Sequence, residues 1–355
     1  MSQKPKKHQI NQRQINFLQS FIYDKEYAIS DFSAYTASRA TLKRDIFTLV
    51  DLGYLKTKGD LRTAKYYLSD YGLIHRPYNI KEYFELPEGS KNIFSNFNFN
   101  IFKILSENEI FTTEELELLN LYTNTFINNS KNLTDTIYKK ELERFVIELS
   151  WKSSKIEGNT YSLLDTEKLI KDGIESIGHS RDEAIMILNH KNAFNYIIEN
   201  KNNVNNLLSK KSLEQIHYLL IKDLGVRHGL RKTGVGITGT FYKPISLVSQ
   251  LEEQIDLFIK CLHNLSNPYA QALIALLCES YLQPFEDGNK RTARLFANSI
   301  LIAAKLAPLS YRNVDEKVYK ESMLIFYEQN SIDSFKKIFI EQYKFSCENY
   351  NIFKE

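Results

Sequence analysis

Apolar residues recur along this chain mostly at helical spacing, and the pattern predicts a mainly α protein with a little β structure near its start. Ile15, Phe17, Leu18, Phe21 and Ile22 fall on one side of a helix over 10–23 whose other side is polar. A short second helix is predicted over 29–35. A third, over 36–52, opens with capping residues, carries Leu42, Ile46, Leu49, Val50 and Leu52 on one side, and stops at Gly53. Two short strands, 54–58 and 61–68, then flank Lys58-Gly59-Asp60, a hairpin turn signal.

Beyond residue 77 the pattern changes twice. Pro77, Pro87, Gly89 and several asparagines predict a loosely packed connector, placed at 81–110, between a module over 1–80 and a helical domain over 111–355. Within that domain Tyr138, Leu142, Phe145, Val146 and Leu149 share a face of a helix over 135–155 that ends at Gly158, a natural C-cap. Glu157 puts an anion at the negative end of that helix, a broken local rule that calls for a compensating cation elsewhere. Leu295 to Leu306 is apolar on most faces and predicts a central core helix. Gly234-Val235-Gly236-Ile237-Thr238-Gly239 spells a dinucleotide-binding fingerprint, but Pro244 follows closely and no helix begins there. Alternation through Val235, Ile237 and Phe241-Tyr242 predicts a short β-hairpin instead.

Composition adds little in total and more by region. The chain of 355 residues has 43% hydrophobic and 25% charged residues, ordinary for a globular protein of two or three domains. The absence of a basic-then-apolar leader and of a membrane-length apolar run predicts a cytoplasmic protein with no membrane partner. Three cysteines far apart fit neither a disulfide framework nor a zinc site. Residues 1–80 hold 13 Lys and Arg against 7 Asp and Glu, a net of +6 against +3 for the whole chain. Three helices and a basic hairpin therefore predict a winged helix-turn-helix. Arg39, Lys43 and Arg44 are placed on its recognition helix and Lys56, Lys58, Arg62 and Lys65 on its wing. Such a face contacts DNA phosphates and bases or docks a protein partner, and the residues leave both open.

The densest chemistry lies at Gln283-Pro284-Phe285-Glu286-Asp287-Gly288-Asn289-Lys290-Arg291-Thr292-Ala293-Arg294. Asp-Gly-Asn makes a tight turn and a helix is predicted from about Lys290, so unpaired N–H groups and a partial positive charge face whatever sits above them. Arg291 and Arg294, three apart, share a face from which both guanidinium forks can grip phosphate oxygens. Asp287 supplies a hard oxygen ligand for magnesium.

This segment resembles the Fic/Doc family motif His-Pro-Phe-x-Asp-Gly-Asn-Gly/Lys-Arg-x-x-Arg. The resemblance implies a helical Fic fold with ATP as substrate, magnesium at Asp287, and phosphates cradled by Gly288, Asn289, Lys290, Arg291 and Arg294. It also implies AMP transfer to a Ser, Thr or Tyr hydroxyl of a target protein. Gln283 stands where the family has its catalytic histidine, and a glutamine amide exchanges no proton near neutral pH, so the activity is expected to be silenced; loss of a positioned base costs roughly 10²–10⁴-fold. Lys290 stands where AMP-transferring members mostly have glycine and the phosphate-transferring Doc branch has lysine, which leaves open a reoriented nucleotide or one more charge contact. A subset of the family carries an inhibitory helix of the form Ser/Thr-x-x-x-Glu-Gly/Asn, which Ser153 and Glu157-Gly158 match. The resemblance then pairs Glu157 with Arg294 where the γ-phosphate would sit. A family flap that aligns the target strand corresponds to Val235, Gly236, Ile237 and Tyr242, reached through Gly229-Leu230-Arg231. His217, on an apolar helix face, reads as a packed core residue rather than a substitute base. Expected partners are ATP, the target protein, DNA through residues 1–80 and, as an open alternative, a second copy of the chain; besides AMP transfer, phosphate transfer and a nucleotide-sensing DNA regulator remain open.

Overall fold

Capping side chains set most element boundaries in the computed structural model, which describes residues 10–33, 35, 37–60, 63–87, 89–131, 133–202 and 207–352. Asn11 caps α1 (Gln12–Gln19) in a reciprocal box with Gln14, and Ser38 Oγ accepts the Thr41 N–H to cap α2 (Arg39–Asp51). A 3₁₀ turn, Ile29–Phe32, lies between them. Strands β1 (Leu55–Lys58) and β2 (Lys65–Leu68) pair antiparallel, Leu55 opposite Leu68. The orientation of α2 is fixed by a buried carboxylate. Arg13 grips Asp45 with two hydrogen bonds of 2.8 and 2.9 Å and Gln14 adds a third, which leaves Arg39, Lys43 and Arg44 on the exposed side.

The segment expected to be a loose connector is instead docked. After α3 (Asp70–His75) come α4 (Ile80–Glu85), at its start, and α5 (Ile101–Glu107) within it. Its polar groups and those just before it are taken up by the helical body: Arg76 donates to Gln329 Oε1, and within the segment Tyr83 OH donates to Glu328 and Asn98 N–H donates to Tyr281 OH. Its prolines and asparagines thus mark turns between short packed helices, which a composition reading cannot distinguish from a linker. One contiguous core runs from Phe17 to Ile352, so the first module and the body are not separated by a hydrated gap.

The body comprises α6 (Thr113–Ser130), α7 (Asp135–Ile156), α8 (Leu163–Asp172), α9 (Arg181–Glu199), α10 (Lys210–Ile221), α11 (Val248–Asn264), α12 (Pro268–Leu282), α13 (Asn289–Ala303), α14 (Glu316–Gln329) and α15 (Asp333–Asn349). Helix α13 is the axis: α12, α10, α9 and α7 all pack on it, and its residues 291–301 are buried. Thirteen of the fifteen residues of α12 are buried as well, which accounts for its lack of a polar face. Cys261, Cys278 and Cys347 are free and buried. No helix among the described residues is long and apolar enough to cross a membrane.

Candidate functional site

The site forms where α12 ends and α13 begins. Gln283 caps α12 in the left-handed region at φ 49°, and Gly288 repeats that conformation at φ 80° as the N-cap of α13. A Cβ on Gly288 would lie 3.2 Å from Ile221 Cγ2, so both the dihedral and the space favour glycine. Asn289 closes the turn between them. Its Oδ1 accepts the Phe285 N–H at 2.8 Å, and its Nδ2 donates to Phe285 O and to Gln283 Oε1. Helix α13 starts at Asn289, one residue before the predicted start, because Gly288 rather than a side chain supplies the cap. No side chain caps this end, so its first N–H groups stay available to an anion.

Gln283 is held at both ends of its amide: Nε2 donates to Ser280 O at 2.7 Å while Oε1 accepts from Asn289. Its carbonyl accepts from Arg231 Nε at 2.6 Å. The side chain is buried and offers no basic lone pair near neutral pH.

The two arginines do not project as a free pair, contrary to the helical-face reading. Both are buried inside the bundle, because α13 is its central helix. Arg291 Nη2 donates to Asp287 Oδ2 at 3.0 Å. Arg294 reaches α7 instead, donating from Nε to Ser153 Oγ at 2.8 Å and from Nη2 to Ser153 O at 2.9 Å. The same Nη2 makes an ion pair with Glu157 Oε1 at 2.9 Å. Glu157 is the C-cap of α7, and Gly158 follows at φ 100°. Burial opposes the Glu157 charge, but Arg294, with Lys290 and Arg291 behind it, outweighs burial and holds the carboxyl below its ordinary value. Arg291 Nη1 and Arg294 Nη1 remain buried without a hydrogen-bond partner, and the Arg294 guanidinium lies 5.8 Å from the Tyr319 ring centroid.

Asp287 is the exposed member, its side chain 66% accessible, with one carboxylate oxygen on Arg291. Among the described residues no group of three His, Cys, Asp or Glu side chains gathers around it or elsewhere. Lys290 is half-buried on the first turn of α13.

Sequence reasoning read His217 as packed, as it is, but missed its contacts and the other supports altogether. His217 lies under the turn, stacked on Phe285 at 3.6 Å between centroids, and its Nε2 meets Asp287 O at 3.0 Å. A carbonyl only accepts, so Nε2 carries the proton. Burial lowers this imidazole to about 4, with His228 and Arg291 adding to the effect against the bond to Asp287. His190 pairs with Ser153 Oγ at 2.9 Å and is driven well below its ordinary value by burial, then by Arg294 and Arg291. Glu279 is fully buried with neither carboxyl oxygen hydrogen-bonded, and burial pushes it well up despite Arg294. None carries a sequence signal beyond an isolated polar letter on an apolar face.

The hairpin expected over 235–242 does not form. Val235, Gly236 and Ile237 lie in an irregular loop with a turn at Thr238-Gly239, and β1 and β2 are the only paired strands among the described residues. The main chain flanking this loop is bound elsewhere: Arg231 donates to Thr233 O and Ile245 O, and Lys243 N–H donates to Ser95 O in a bridge to Asn96. Tyr242 is a core residue, stacked on Tyr281 at 4.4 Å and donating to its carbonyl. In the first module Lys58 is tied to Glu26 at 2.6 Å, with Lys65 at 3.7 Å from the same carboxylate, so part of the supposed basic wing is neutralised. Arg62 lies outside the described residues.

Comparison with known proteins agrees with this geometry. Residues 207–301, which contain the whole turn, match the Fic/DOC family. The chain is 28% identical over 184 residues to the protein adenylyltransferase Fic of Culex quinquefasciatus, covering 51% of this chain and 37% of that protein. It is 28% identical over 193 residues to the one from Nematostella vectensis, covering 52% and 44%. The chain therefore matches less than half the length of these curated relatives. Among solved structures, Fic-1 (residues 134–508) of C. elegans superposes with a TM-score of 0.54 at 18% identity, over 70% of this chain and 79% of that one. A Fic domain containing signaling protein from Bacteroides thetaiotaomicron gives 0.55 at 17%, over 65% and 95%. These likenesses establish the fold, and with the family match they show that this chain carries a Fic/DOC family domain.

Proposed function

We propose that this domain is a protein adenylyltransferase of the Fic type, held in an inhibited state by Glu157 and deprived of its base by Gln283. The observation that carries the reading is Arg294: a fully buried guanidinium at the head of an uncapped helix, occupied by Ser153 and Glu157 yet with Nη1 unpartnered. ATP phosphates would take the α13 N–H groups and the free Nη1 donors of Arg291 and Arg294, with Lys290 beside them. Asp287 would hold a magnesium ion beside those phosphates, since it is exposed and keeps one carboxylate oxygen clear of Arg291. The ion would neutralise phosphate charge. The γ-phosphate would compete with Glu157 for Arg294, which is how a carboxylate at a helix C-terminus becomes an inhibitor. A target hydroxyl would be left without a proton acceptor, because the Gln283 amide is neutral and both its ends are already bonded.

The test is Gln283→His, alone and with Glu157→Gly, supplied with ATP labelled on either the α- or the γ-phosphate. Label from the α-phosphate on protein, strongest in the double variant, is the expected outcome. Label from the γ-phosphate would mean Doc-like phosphate transfer, favoured only by Lys290, and no label from either would overturn both.

A second reading rests on Gln283 and on the first module together. Arg39, Lys43 and Arg44 stand exposed on α2 without ion pairs among the described residues, as a winged helix facing DNA would place them. An inert nucleotide site in the body would then serve a DNA-binding regulator rather than an enzyme.

A further inference from the structure

A second cavity lies away from the nucleotide turn, at the seam between the first module and the body. It encloses about 660 Å³, within the usual range for small-molecule sites. One wall comes from the end of α1 and the residues after it, a second from the 76–94 segment, and the third from Gln329 at the end of α14. Two aromatic pairs line it. Tyr78 and Tyr83 meet edge to face at 5.3 Å, and Tyr23 meets Phe94 at 6.2 Å. Flat apolar surface of this kind is what an aromatic or heteroaromatic ring stacks against.

The charges on the wall are unbalanced. Arg76 is only 3% exposed, and its guanidinium donates only to neutral oxygens, Phe21 O at 2.7 Å and Gln329 Oε1 at 3.1 Å. Its Nε has no partner, and no carboxylate among the described residues pairs with it. Lys91 likewise makes no ion pair among the described residues and sits 4.3 Å from the Tyr83 centroid. The acid on the wall, Glu82, is exposed and already accepts from Asn79. A buried cation without a counter-ion is costly unless something supplies the negative charge.

We propose that this cavity binds a small organic anion carrying a flat ring, its ring between the two aromatic pairs and its carboxylate or phosphate toward Arg76 and Lys91. Because its walls belong to both the first module and the body, such a ligand bridges them. The nucleotide turn at 283–294 shares no residue with it.

Calorimetric titration of the full chain with indole-3-acetate and, separately, with AMP tests this, since each carries a flat fused bicycle and they differ in the anionic group, carboxylate against phosphate. At least one should bind. Lys91→Glu should weaken that binding about tenfold or more. Leu86→Trp should block it by filling the cavity from a position 48% exposed, where folding is not at stake. Glu157→Gly should leave indole-3-acetate binding unchanged. Failure of both probes, or binding undiminished by Lys91→Glu and Leu86→Trp, overturns the proposal. AMP binding that survives both substitutions belongs to the nucleotide turn, and the proposal is then overturned unless indole-3-acetate binds and is weakened by both.

Discussion

Single residues decide what this site can do, and two of them were visible as letters. Gln283 needs no fold to be read, because an amide stands where the family motif has a base. The demand for a cation near Glu157 also follows from its place at a helix C-terminus, and Arg294 stands 2.9 Å away. The sequence did not reveal that Gln283, Asn289 and Ser280 form one closed amide chain, since such a bond pattern needs the left-handed turn to bring them together. His217 was read as packed; its bond to Asp287 O and its stack on Phe285 depend on where α10 passes beneath the turn. That position has a consequence in acid. With its folded value lowered to about 4 from an ordinary value near 6.5, His217 takes up a proton more readily when unfolded. Stability should then rise with pH across that window and be lost as pH falls through it. His217→Gln keeps a donor for Asp287 O and removes the titration, so its loss of stability between pH 7 and pH 5 should be smaller by about 2 kcal/mol. Denaturant melts at the two pH values measure it, and equal losses in variant and parent would contradict the argument.

At the scale of elements, the helices were legible and the irregular segments were not. Helix α7 was placed at 135–155 and spans Asp135–Ile156, because an apolar face and a glycine stop are both local signals. Alternation of apolar residues over 235–242 looked equally local but misled, because Tyr242 is drawn into the core against Tyr281 and the chain turns at Thr238-Gly239 with no strand on either side. The connector failed for the same reason: prolines and asparagines report turns, and tertiary contacts decide whether those turns are docked. The turn between α12 and α13 is the element on which the proposed phosphate site depends, and Gly288 is its pivot. Gly288→Ala should cost roughly 1–2 kcal/mol through the left-handed φ alone, with more from the approach to Ile221. Urea unfolding should register this as a lower midpoint; an unchanged midpoint would mean that the turn tolerates another conformation.

For the whole molecule the question is how a module with an exposed basic helix and a nucleotide-type site are combined in one continuous core. If α2 meets DNA, binding should fall steeply with salt, and Lys43→Ala with Arg44→Ala should reduce the slope of log affinity against log salt by about 2. No binding at low salt would leave α2 as a protein-docking face. The central claim concerns the two parts of the chain that the fold brings together, the end of α7 and the head of α13. Arg294 is held by Glu157 at 2.9 Å, on the side that the proposed reading gives to a phosphate. The Glu157 carboxyl lies below its ordinary value, so the lock should persist at neutral pH and loosen only in acid, as pH falls through the folded value. The most direct measurement is the affinity for ATP with magnesium at pH 7.5, in the parent and in Glu157→Gly. The account predicts binding about tenfold or more tighter once Glu157 is gone, and equal affinities would contradict it.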